Sequence, residues 1–249
     1  MLLLLAGTGE GREIVEFLEK KGIPYLATVT SDYGKSLMTV HTEKIKFDPE
    51  GLKDIIYEKK ISGIVDATHP FARVIKNIAR KAARECGIKY IRFERGRLKR
   101  HKGVKYVKDY TKAIKYLENS GLKAFLTIGS NHLDKFIDKN FAIVARVLPT
   151  LEVMKKVMAL RLTPDQIIAM KGPFTRELNR AMIEQTGCKI LVTKESGERG
   201  GEKEKYLACN DLGIEMVTIE RPVFKTNIIV YNLEGLDRVL RREGIGYDE

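Results

Sequence analysis

Ile64-Val65-Asp66-Ala67-Thr68-His69-Pro70-Phe71-Ala72-Arg73 is the stretch whose reading decides the fold. Gly63-Ile64-Val65 reads as a short buried strand, because β-branched apolar residues follow a glycine. Pro70 suits the first turn of a helix, where its missing N–H costs nothing. Val74, Ile75, Ile78, Ala79 and Ala82 then recur at spacings of three and four, which predicts a helix with Lys76, Arg80 and Lys81 facing outward. Asp66-Ala67-Thr68-His69 is thereby placed at the carboxyl end of a strand. In open parallel sheets that edge binds ligands. The turn offers a carboxylate, a hydroxyl and an imidazole; the alternative is a capping role for Asp66 or Thr68 and a surface role for His69.

Upstream, residues 1–5 read as a buried strand and Ala6-Gly7-Thr8-Gly9-Glu10-Gly11 as a tight turn. Ile14, Val15, Phe17 and Leu18 form the apolar stripe of a helix that stops before Gly22. Glycines at such a turn let backbone amides approach a phosphate at the helix N-terminus. The dinucleotide fingerprint wants glycines at its first, third and sixth positions. Gly7 and Gly9 fit; Arg12 stands in the sixth place, and Gly11 is one residue early. A second strand over 25–29 ends in Thr30-Ser31-Asp32-Tyr33-Gly34-Lys35, where dinucleotide folds meet the adenosine ribose. Ser31 and Lys35 suit a 2′-phosphate and Asp32 a free hydroxyl, so the choice between NADPH and NADH stays open here.

Downstream, a strand over 89–93 leads into the basic run 94–102. Its few aromatics argue against base stacking on single strands, and His101 reads as surface. The alternation then begins again. A helix at Ala113, Ile114 and Leu117 precedes a strand over 124–128, and Gly129-Ser130-Asn131-His132 follows, with His132 on the first turn of a short helix. Strands over 141–147, 167–170, 189–192, 214–219 and 227–230 come next, with polar turns at Lys171-Gly172-Pro173-Phe174 and after Thr193-Lys194. Two doubly wound α/β units facing each other across a cleft, 1–102 and 103–249, account for this series.

The 45 Lys and Arg against 33 Asp and Glu give a net charge of +12, a field that favours anionic ligands. No run is long enough to span a membrane, and Leu2–Leu5 is too short for a signal peptide. Cys86, Cys188 and Cys209 show neither disulfide nor zinc spacing, so no metal site and a cytoplasmic location are expected.

Leu-Leu-Leu-Ala-Gly-Thr-Gly-Glu at 3–10, Asp66-Ala67-Thr68-His69-Pro70-Phe71-Ala72, Arg92-Phe93-Glu94-Arg95, Leu126-Thr127-Ile128-Gly129, Lys171-Gly172-Pro173-Phe174 and Lys194-Glu195-Ser196-Gly197 together resemble the precorrin-6A reductase family of cobalamin biosynthesis. That family includes the cobalt-precorrin-6A reductases, and the likeness runs to Arg221-Pro222. It departs at Ala6, where the family has Gly, at Gly96-Arg97-Leu98, and at Glu198. The resemblance implies reduction of one ring double bond of a contracted tetrapyrrole by a nicotinamide cofactor, between two Rossmann-like domains. NADPH is the favoured cofactor and NADH the alternative.

On this reading Gly7, Thr8, Gly9, Glu10, Thr30, Ser31, Lys35, Thr68, His69 and Pro70 hold the cofactor on the first domain. Arg95, Arg97, Thr127, Gly129, Ser130, Arg146, Lys171, Gly172, Pro173, Phe174, Lys194, Ser196 and Gly197 hold the tetrapyrrole polycarboxylate. Asp66 and His69 are candidate proton donors, and the chain is expected as a monomer or weak homo-oligomer. A nucleotide-sugar reductase or epimerase is the alternative enzyme. Its Tyr-x-x-x-Lys pair is missing, since Tyr110 and Ile114 stand four places after Tyr106 and Tyr110. A nucleic-acid-binding module would explain the charge but not the glycine turns.

Overall fold

The computed structural model describes residues 1–29, 42–44, 48–94, 96, 98–197 and 200–247. Two compact units emerge, Met1–Gly96 with Val223–Glu249, and Arg97–Pro222. The first holds β1 (Leu2–Leu5), α1 (Gly9–Lys20), β2 (Tyr25–Val29), β3 (Thr42–Lys44), α2 (Pro49–Glu58), β4 (Gly63–Asp66), α3 (Arg73–Glu85) and β5 (Lys89–Phe93). The second holds β6 (Lys105–Val107), α4 (Tyr110–Ser120), β7 (Ala124–Leu126), β8 (Ile143–Val147), α5 (Leu151–Ala159), β9 (Ile167–Ala169), α6 (Arg176–Thr186), β10 (Ile190–Lys194), α7 (Glu202–Asp211) and β11 (Glu215–Ile219). The chain then returns to the first unit with β12 (Ile228–Val230) and α8 (Leu233–Arg242).

Each sheet has six parallel strands among the described residues, in the orders β12-β5-β4-β1-β2-β3 and β6-β11-β10-β7-β8-β9. Both follow the doubly wound pattern, whose order reverses beside the first strand, between β1 and β4 and between β7 and β10. The sixth strand is exchanged. β6, which follows β5 in the chain, closes the second sheet, and β12, which follows β11, closes the first. The division expected at 102/103 therefore falls at 96/97, and residues 223–249 do not belong to the second unit. The reason is the parallel pairing of Ile228–Val230 with β5.

β1 shows why the first sheet forms. Leu2 and Leu4 pack with Ile14, Val15 and Leu18 of α1, whereas Leu3 and Leu5 pack with Leu52 and Ile56 of α2 and Ala79 and Ala82 of α3. A strand covered on both faces has no place for a polar residue. In the second sheet Phe125, Val144 and Leu191 pack with Met182 and Ile183 of α6 and Ala208 of α7, and Cys188 and Cys209 join that core.

Two local expectations change. α3 starts at Arg73, not at Pro70, because the Ala72 and Arg73 amides close short turns onto the His69 and Phe71 carbonyls, 2.9 Å each, in place of helical bonds. Lys76 does not face outward. It is 2% exposed and its Nζ donates to the Pro70 carbonyl, 3.0 Å, tying the helix back to the turn before it.

Candidate functional site

In the first unit the reversal point lies between the ends of β1 and β4. Gly7 has φ +113°, a conformation that L side chains rarely adopt. Gly11 takes the role of the third fingerprint glycine from one place early. A Cβ there would lie 3.0 Å from the Ala6 Cβ and 3.1 Å from its Cα, so α1 can sit close on the strand end. Thr8 precedes α1 but does not cap it; its Oγ1 donates to the Ala67 carbonyl, 2.8 Å, joining the two strand-end turns.

Helix caps follow the same division. Asp48, Asp109, Thr150, Thr175 and Asn232 cap α2, α4, α5, α6 and α8 through their side chains. α1, α3 and α7, which follow the reversal-point strands β1, β4 and β10, have no side-chain cap. Uncapped first-turn amides and the helix dipole favour an anion at those places.

Asp66 is 0% exposed. Its Oδ1 accepts from Thr68 N (2.8 Å) and Thr68 Oγ1 (2.6 Å), and its Oδ2 accepts from the Tyr90 hydroxyl. Arg92 Nη1 lies 3.0 Å from Oδ1, while Arg92 Nε donates to Glu94 at 2.7 Å. A carboxylate with no exposed surface and this set of donors fixes the turn and does not reach a ligand. Asp66 as a proton donor is therefore corrected to a positioning role. His69 is half-buried at the same edge. Its Nδ1 accepts from Phe71 N, 3.2 Å, which leaves the ring proton of the neutral imidazole on Nε2. Pro70 is buried behind it. Thr30, Ser31 and Lys35 lie outside the described residues, as do Arg95 and Arg97.

In the second unit Thr127 N and Oγ1 donate to the Val192 carbonyl, 2.8 and 3.1 Å, which joins the end of β7, ahead of Gly129 and Ser130, to β10, which leads into Lys194, Ser196 and Gly197. Here β7 leads only to a single 3-10 turn, Leu133–Phe136, not to a long helix. The amides of Ser196 and Gly197 are held by Glu202 Oε2, 3.1 and 3.0 Å, so the protein's own carboxylate fills that cradle. Arg146 on β8 is 6% exposed; its Nη1 donates to Asn179 Oδ1, 2.8 Å, and its guanidinium lies 3.7 Å from the centre of the Phe174 ring. Burial pushes the Arg146 pKa down to about 10. Gly172 is fixed by this aromatic, since a Cβ would come within 2.8 Å of the Phe174 ring; Lys171 and Pro173 are exposed.

Sequence reasoning missed several residues. Tyr90 and Arg92 act on Asp66 from the neighbouring strand, and Glu202 and Lys205 act from α7. His101 is not a surface residue; it is half-buried and stacks on Tyr206 with ring centres 4.1 Å apart. His132 precedes the 3-10 turn and lies against Tyr110, 4.3 Å, and burial lowers its pKa. No helix among the described residues is long and apolar enough to cross a membrane.

Two parallel sheets of doubly wound order, with glycine turns at their reversal points, define an α/β protein of the Rossmann-like class. The family model described as "Precorrin-6x reductase CbiJ/CobK" matches residues 1–241. The cobalt-precorrin-6A reductase of Priestia megaterium is 35% identical over 243 residues, covering 94% of this chain and 95% of the relative. That of Methanocaldococcus jannaschii is 37% identical over 229 residues, covering 89% and 90%. The solved structure "CobK precorrin-6A reductase" superposes with a TM-score of 0.82 at 24% identity, covering 99% of both chains. The chain belongs to the precorrin-6x reductase family, and it is an oxidoreductase.

Proposed function

We propose that this chain reduces one ring double bond of cobalt-precorrin-6A with hydride from NADPH, in the making of the cobalamin ring. The cobalt-bearing substrate is favoured by the names of the two relatives. The observation that carries the cofactor placement is the uncapped N-terminus of α1 beside Gly7. A twelve-residue helix aims its first-turn amides at the reversal point of the first sheet, whereas the matching strand of the second sheet offers a four-residue 3-10 turn. Gly7, Thr8, Gly9 and Glu10 would hold the diphosphate, with Thr68, His69 and Pro70 beside the nicotinamide. Ser31 and Lys35 favour the 2′-phosphate on sequence grounds.

Bound nicotinamide supplies a hydride to one carbon of the double bond. The neighbouring carbon needs a proton, and His69 would deliver it from Nε2 as the imidazolium, protonated at Nδ1 in place of accepting from Phe71 N, and return to a neutral ring. Tyr90, Arg92 and Asp66 hold the turn carrying His69, so the imidazole keeps one orientation. On the second unit Arg146 and the turn residues Thr127, Gly129, Ser130, Lys194, Ser196 and Gly197 would take the carboxylates of the macrocycle. Arg95, Arg97, Lys171, Gly172, Pro173 and Phe174 complete that set.

The test is anaerobic oxidation of NADPH, followed by absorbance on addition of cobalt-precorrin-6A. Wild-type protein should turn over. Gly9→Val should bind NADPH at least tenfold more weakly, with unchanged circular dichroism, because the side chain stands where a phosphate approaches. Wild-type affinity in Gly9→Val would place the cofactor elsewhere, and tighter binding of NADH than NADPH would overturn the preference.

A further inference from the structure

Arg146 and Lys205 are buried cations, 6% exposed each, and neither makes an ion pair among the described residues. Buried charges are ordinarily paired, because desolvation is costly. Among the described residues Arg146 meets an amide oxygen, a thioether and two aromatic faces: Asn179, Met182, Phe125 and Phe174. Its Nε and Nη2 make no hydrogen bond among the described residues. Lys205 Nζ donates to the Gly200 carbonyl, 2.6 Å, and an ammonium carries more donors than that one bond uses. Two of the neighbouring carboxylates are committed, and the third, Glu204 on the same helix, makes no ion pair with Lys205 among the described residues. Glu202 holds the Ser196 and Gly197 amides, and Glu195 Oε2 accepts from Arg221 N, 2.8 Å.

We propose that Arg146 and Lys205 form one buried subsite for a single carboxylate arm of the tetrapyrrole, with half-buried Lys194 at its mouth; the inference rests on the function given above. A carboxylate fits better than a phosphate, since the amide cradle beside it is already filled by Glu202. The guanidinium offers its unused edge and the ammonium its unused donors, which is the arrangement that fixes a planar anion. The turn between them is held tightly. A Cβ on Gly200 would fall 2.0 Å from Ser196 Oγ.

The same burial makes the subsite pH-sensitive. Around Lys205 stand Arg146 of β8, Lys194 of β10, and Glu202, Glu204 and Cys209 of its own helix. Burial first, then repulsion from Arg146, pushes the Lys205 pKa down to about 7, and burial pushes Lys194 to about 8. Below pH 7 Lys205 is charged and ready for a carboxylate. Above it, the ammonium is lost and affinity falls.

The experiment measures KM and kcat for cobalt-precorrin-6A from pH 6 to 9, with the melting temperature and the NADPH Kd of each protein. Wild-type KM should be flat below pH 7 and climb above it. Lys205→Met should raise KM at pH 7 about tenfold or more, lower kcat less than threefold, and leave the melting temperature and NADPH Kd at the wild-type values or better. Lys205→Arg should restore KM and remove its climb between pH 7 and 8. Arg146→Met should raise KM likewise. A wild-type KM in Lys205→Met overturns the subsite, and so does a joint loss of kcat and melting temperature at unchanged KM, the signature of a prop for Gly200 alone. Wild-type protein that reduces no cobalt-precorrin-6A overturns the function and the subsite with it.

Discussion

Around Asp66, a hydroxyl from Tyr90, a guanidinium from Arg92, and an amide and a hydroxyl from Thr68 converge on one buried carboxylate. Removing one partner of such a buried pair leaves the other charge uncompensated, at a cost of about 3–5 kcal/mol. Asp66→Ala should therefore lower the unfolding free energy by roughly that amount, read from the denaturant midpoint. Tyr90→Phe removes one donor and should cost about 1–3 kcal/mol. A loss below about 1 kcal/mol in Asp66→Ala, together with abolished turnover, would return Asp66 to the chemistry. The sequence made the carboxylate and its strand-end turn legible but not its partners. Arg92 is opposite Asp66 in the parallel register of β4 and β5, and no local spacing reveals a neighbour across a ladder. Lys205 was hidden for a similar reason: one lysine in a polar helix looks solvated until the fold buries it.

The elements were easier to read than their ends. Asp48-Pro49 is a helix-start signal in the sequence, and in the structure Asp48 caps α2, accepting from Gly51 N at 2.8 Å. Pro70 sends the same signal but is overridden, because the Ala72 and Arg73 amides close short turns onto the His69 and Phe71 carbonyls first. α1 carries a sharper conflict at Gly11. Replacing a helical glycine with alanine ordinarily gains about 1 kcal/mol. Here the added Cβ meets the Cα of Ala6, which is backbone and cannot step aside, so packing outweighs propensity. Gly11→Ala should gain nothing in stability, and Gly11→Val should lose about 1–3 kcal/mol by overpacking. Both should weaken NADPH binding, since α1 must lift away from the turn proposed to hold the phosphate. Thermal melts and nicotinamide titration check this, and a stabilised Gly11→Ala would show that the strand end yields.

At the scale of the whole chain, the exchanged sixth strands were the part least legible in sequence. Residues 227–230 read as a strand, but a three-residue apolar run carries no address, and continuity assigned it to the second unit. The partner is decided by β5, whose edge Ile228–Val230 completes. Stability follows the same connectivity. Val230, Leu236, Leu240 and Ile245 are 0–4% exposed within the core around Leu2, Leu4 and α1. Each such side chain contributes about 1.5–3 kcal/mol on burial. Together that is roughly 6–12 kcal/mol, comparable with the whole stability of an ordinary domain, about 5–15 kcal/mol. A chain ending at residue 222 should therefore lose the first unit and keep the second. Hydrogen exchange should show fast amides in β1, β4 and β5 and protected ones in β7, β10 and β11, and NADPH binding should disappear. A separate peptide of residues 223–249 should restore both protection and binding, because the missing strand needs only an edge to pair with. Equal protection of both sheets in the shortened chain would mean that the first unit stands without its sixth strand.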